Sequence, residues 1–126
     1  EYVFFEGFQT GENIEKIYAN SDLAINSLGI HRIGLKTEST LKAKEYCAKG
    51  LPIVSSYPLD SLTAEDNNKY VYFVPSNDSS VDIKHMIDFY LNLQQQTNYH
   101  QCIRENSSKI CDMDVTLKAV RNYFEM

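Results

Sequence analysis

Three short runs, "LAIN" (23–26), "PIVSS" (52–56) and "YVYFV" (70–74), are apolar throughout instead of alternating apolar with polar. Segments of helical period separate them. A strand that is apolar on both faces has to be covered on both, and strands that alternate with helices are joined by crossovers. The pattern therefore predicts an α/β fold, a parallel sheet with helices on both faces. "YVFF" (2–5), ended by Gly7, reads as a further short buried strand, and "NIEKIYAN" (13–20) as a helix through Ile14, Ile17 and Tyr18. Ser79 and Asp82 form an approximate capping box for a helix running to about Leu93. Two more helical segments follow, near residues 99–109 and 114–125.

A chain of 126 residues fits one domain, and 43% hydrophobic residues, with nine Tyr and six Phe, suffice for a core. The net charge of −5 argues against a nucleic-acid partner, which would require a basic stripe. No apolar run reaches membrane-spanning length, and no signal peptide is visible. Cys47, Cys102 and Cys111 show no metal-type spacing and read as reduced thiols of an intracellular protein. The first residue is not Met, so the chain reads as a piece of a longer one.

The chemistry concentrates at residues 27–49. In open parallel sheets ligands bind beyond the C-terminal strand ends. The loop "SLGIHRIGLKTE" (27–38) leaves such an end and runs into the helix of "STLKAKEYCAKG" (39–50). Unpaired backbone N–H groups of Thr40, Leu41 and Lys42 would favour an anion there, most naturally a phosphate. Ser39 or Thr40 can instead cap the helix. Glu45 has two readings: an ion pair with Lys42 or Lys49 one turn away, or an acceptor for two vicinal ligand hydroxyls. Phosphate and diol together describe a nucleotide. Arg32 offers a planar fork to phosphate or sugar, or stands solvated on its loop.

The stretch "LKAKEYCAKGLPIVSS", with "EKIYANSDLAINSL" before it, "HR" in the loop and "YVYFVPSND" after it, resembles the donor-binding motif of GT-B glycosyltransferases. The relatives in question are those akin to glycogen synthase and capsular-polysaccharide transferases. The resemblance is best over residues 12–56 and extends to about residue 93. It implies a Rossmann-like, three-layer half of a GT-B C-terminal domain with C-terminal helices. Residues 1–126 would be a single, partial donor-binding domain, with the N-terminal acceptor domain outside them. The implied activity is transfer of a sugar from a nucleotide sugar to a carbohydrate or glycolipid acceptor, with retention, in polysaccharide or glycoconjugate synthesis.

By the same resemblance Glu45 matches the second acid of the E-x7-E motif and binds ribose hydroxyls. Thr40 and Leu41 match positions whose amides hold the diphosphate, and Lys42 can neutralise it. The chain departs from the motif at Thr37, where the first acid should stand; Glu38 lies next to it. Thr40 also replaces the usual Gly. No metal and no cofactor beyond the donor is implied. The 126 residues alone should be inactive, because the Arg/Lys phosphate grip and the acceptor domain lie upstream. Their open sheet edge should make them self-associate. A cytoplasmic location is implied, with membrane association open to the intact protein. The rivals are a nucleotide-sugar epimerase of the same overall fold and a non-enzymatic α/β signalling module.

Overall fold

The computed structural model describes residues 2–126. Its centre is a three-stranded parallel sheet of order β1-β2-β3, formed by Ala24–Ile25, Ile53–Ser55 and Val71–Phe73. Ala24 stands opposite Ile53, and Ile53 opposite Val71. These three apolar side chains share one face and are buried in the main core cluster.

Helix α1 (Glu12–Ala19) precedes β1, α2 (Leu41–Ala48) joins β1 to β2, and α3 (Ala64–Tyr70) joins β2 to β3. Then follow α4 (Ile83–Gln94), α5 (Tyr99–Cys111) and two short helices, α6 (Met113–Thr116) and α7 (Lys118–Phe124). Helix α5 packs on both α2 and α3. Ala43 and Cys47 of α2 and Ile103 of α5 are buried between these layers. The opposite sheet face is covered only in part. Phe89 of α4 lies over Tyr72, with ring centroids 5.7 Å apart, whereas Ile25 remains 58% exposed.

The end of α2 follows from "KGLP". Gly50 has φ +73, Gly50 N–H donates to the Cys47 carbonyl and Leu51 N–H to the Tyr46 carbonyl. This left-handed stop satisfies two of the last carbonyls of the helix. Pro52 then turns the chain into β2.

Three expectations need correction, and one helix was not expected at all. "YVFF" forms no strand: residues 2–8 are irregular and exposed. The helix expected over 114–125 is broken at Leu117 into α6 and α7. The Ser79–Asp82 box is not made. Asp82 alone caps α4, accepting from His85 N–H at 3.0 Å, while the Ser79 hydroxyl bonds Asn77. Helix α3 was unforeseen, since "AEDNNKY" has no apolar period. It is held from outside itself: buried Asn67 donates to the carbonyls of Leu59, Leu62 and Thr63 and accepts from Leu59 N–H at 2.7 Å. No helix of the described residues is long and apolar enough to cross a membrane.

Candidate functional site

Parallel strands end on the same side, so the residues after β1 and β2 meet the start of α2. Asn26, only 3% exposed, donates from Nδ2 to Tyr57 Oη at 2.9 Å. Tyr57 Oη in turn donates to Glu38 Oε2 at 3.2 Å. Ser55 Oγ donates to the Tyr57 carbonyl at 2.8 Å, and Ser56 Oγ to the Ser27 carbonyl at 3.3 Å. Both hydroxyl protons of Ser55 and Tyr57 are thereby committed. Asn26 Oδ1 is left buried with no donor among the described residues. Burial raises the Tyr57 phenol above its ordinary range, Asn26 opposes the shift, and Glu38 adds to it. Tyr57 therefore remains a neutral donor and ties the loop carrying Glu38 to the strand ends.

Removing that hydroxyl exposes the arrangement to a simple test. Tyr57→Phe keeps the ring but leaves Asn26 Nδ2 without its closest acceptor in a buried setting. We expect a loss of roughly 1–3 kcal/mol in stability, read as a lower urea midpoint at constant slope. An unchanged midpoint would mean that the hydroxyl carries no structural weight.

Thr40 (φ −107°, ψ 144°) is the N-cap of α2, its Oγ1 accepting from Ala43 N–H at 3.2 Å. Thr40 thus caps the helix through its side chain, one of the two uses expected for it. The N–H groups of Leu41 and Lys42 have no hydrogen-bond partner among the described residues. Lys42 Nζ reaches back to Ser27 Oγ at 3.4 Å, across the end of β1. Besides Glu38, a second acid lies near this first turn. Asp60 Oδ2 accepts from Ser39 Oγ at 2.6 Å and pairs with Lys44 Nζ at 3.3 Å. Burial works against its charge, but Ser39 and Lys44 together outweigh burial and hold its carboxyl below the usual range.

Glu45 stands elsewhere. It is three residues beyond Lys42, hence turned about 60° around the helix axis from it. With Leu41 and Ala48 it borders a groove of about 550 Å³ whose far wall is Arg104, Ser107 and Cys111 of α5. Neither ion pair considered for Glu45 forms. Lys49 Nζ bonds Glu15 of α1 at 2.6 Å, and Lys42 reaches Ser27. The charge of Glu45 acts instead on two phenols. Tyr18 is pushed up to about 12, by burial first and by the Glu45 carboxylate next, and Tyr46 is raised by the same two causes.

Arg32 lies in a 3₁₀ turn, Ile30–Ile33, and is not free: its Nε bonds Asp78 Oδ1 at 2.8 Å. His31 Nε2 meets the same oxygen at 2.9 Å. His31 and then Arg32 hold the Asp78 carboxyl below the usual range. The three side chains border a hollow of about 260 Å³ beyond the end of β3. Thr37 is exposed and its side chain makes no hydrogen bond among the described residues.

The residues picked from the sequence thus fall into three places. Thr40 and Lys42 lie at the head of α2, with Glu38 below them on Tyr57. Leu41 and Glu45 lie on the outer ridge of that helix, and Arg32 lies across the strand ends on Asp78. Sequence reasoning missed Asn26, Tyr57, Asp60 and Asp78. Only Asn26 left a trace, as a polar residue closing an apolar run. Among the described residues no three His, Cys, Asp or Glu side chains cluster so as to hold a metal ion. No protein-family model, curated protein or solved structure matches the chain, and the candidate site stands on its geometry alone.

Proposed function

We propose that this chain is part of the donor-binding half of a GT-B-type glycosyltransferase, a Rossmann-like layer that receives the diphosphate of a nucleotide sugar. The observation that carries the reading is the head of α2. Two unpartnered N–H groups, Leu41 and Lys42, lie with the Lys42 ammonium at the C-terminal ends of parallel strands. Such an end favours anions through both its free donors and its dipole. In transfer, the same donors stabilise the charge that accumulates on the leaving diphosphate.

Glu45 lies about 6 Å further along the axis than Leu41, within reach of a nucleoside lying along the outer ridge of α2. Its carboxylate has no ion-pair partner among the described residues and has acceptor capacity for two ribose hydroxyls. The residues directly after β1 and β2, Asn26, Ser27 and Ser56, count against a Mg²⁺-dependent signalling module, which needs acids there.

Titrating the 126-residue chain with UDP and GDP, followed by thermal unfolding, tests the reading. We expect a rise in the unfolding midpoint at millimolar nucleotide, with a Kd weaker than about 1 μM. Tighter binding would show that the chain holds a complete phosphate site. No rise would remove the anion site itself.

A further inference from the structure

Two charges bordering the groove between α2 and α5 stand without ion pairs. On the α2 wall Glu45 has none, since Lys49 and Lys42 are engaged elsewhere. On the α5 wall Arg104 is exposed, and its guanidinium bonds nothing among the described residues. The Ser107 hydroxyl donates to the Arg104 backbone carbonyl at 3.1 Å, and the Ser108 hydroxyl to the Glu105 carbonyl at 2.9 Å. Both serines border the groove, and with their protons committed they meet a ligand as acceptors. The two helices run antiparallel. His100, at the start of α5, bonds the Gly50 carbonyl just beyond α2, whereas Cys111, at its end, feels the charges of Lys44 and Asp60 near the head of α2. Helical side chains lean toward the start of their own helix, so Arg104 stands toward the Ala48 end of the groove. From the head of α2 the order is thus free N–H groups, then Glu45, then Arg104. The steps along the axis are about 6 Å from Leu41 to Glu45 and about 4.5 Å from Glu45 to Ala48. Diphosphate, ribose and base follow one another in the same order in a nucleotide.

We propose that the α2–α5 groove seats the base of the nucleotide, with Arg104 as its reader, and that the base is guanine; the assignment rests on the anion and ribose sites proposed above. The groove, about 550 Å³, has the size of a small-molecule site. The Arg104 guanidinium offers its donors in a rigid planar fork. Guanine answers with two adjacent acceptors, O6 and N7, the pair that arginine holds bidentately. Its N1–H and N2 amino donors suit the oxygens of Ser107 and Ser108. Adenine carries an amino donor where guanine has O6, so it would meet the fork donor to donor. Uracil offers the fork a single acceptor, O4, at the corresponding edge. Because Arg104 has no partner to leave, binding breaks no ion pair on that wall.

NMR titration of the 126-residue chain with GDP, UDP, ADP and inorganic pyrophosphate tests the assignment. GDP should bind more tightly than UDP or ADP by on the order of 10-fold. Arg104→Met keeps a long side chain and removes the fork. In that variant GDP should fall to the affinity of UDP, while pyrophosphate binds as before. Equal affinity for the three nucleotides overturns the inference, as does a preference for UDP or ADP. A guanine preference that survives Arg104→Met overturns it too. Failure of the underlying reading looks different: pyrophosphate itself would not bind, and the guanine assignment would fall with the anion site.

Discussion

Gly50→Ala is expected to destabilise the protein by about 3 kcal/mol or more. Two independent causes add. Gly50 has φ +73, where an L side chain is strained. An alanine Cβ built there would also lie 2.5 Å from the backbone carbonyl oxygen of His100 in α5. Backbone cannot turn aside as a flexible side chain can, so α5 would have to lift from the end of α2. The Gly50 carbonyl, held by His100 Nδ1 at 2.7 Å, would lose its partner as the helices part. Chemical unfolding of the variant measures the loss. A midpoint within about 0.5 kcal/mol of the unaltered protein would show that the approach of α5 to α2 is not tight.

Glu45→Gln should lower donor affinity on the order of 10- to 100-fold, if the ribose lies on α2 as proposed. Hydrogen bonds to a charged acceptor contribute about 1.5–3 kcal/mol, and the amide keeps the volume while losing the charge and half of the acceptor capacity. The variant belongs in a protein that carries both halves of the phosphate grip. Stability should hardly change, because Lys49 and Lys42 are engaged with Glu15 and Ser27 and leave no ion pair to break at Glu45. A second readout reports on the carboxylate itself. The Tyr18 phenol, now pushed up to about 12, should fall while staying above its ordinary value, since burial, the larger cause, remains. Unchanged donor affinity together with a lowered Tyr18 titration would place Glu45 correctly and sink its ribose role.

What the sequence determined by itself is whatever one turn or one strand decides locally. The left-handed stop at Gly50, the run of Pro52 into β2 and the Thr40 cap all rest on residues within five positions of one another. The apolar runs marked three strands and their parallel pairing, because residues buried on both faces leave a composition that a half-wet strand does not. The partners of the charged side chains were decided elsewhere. Lys49 chose Glu15, 34 positions away, over Glu45 four positions back. Arg32 found Asp78, 46 positions away, and Tyr57 joined Asn26 to Glu38. Helix α3 exists because Asn67 fastens it to the preceding loop, which no periodicity in "AEDNNKY" announces. Such contacts follow from which surfaces the crossovers bring together, a choice made by the whole sheet and its layers. Residue type sets what a side chain can bond; only the tertiary structure decides which partner is near enough.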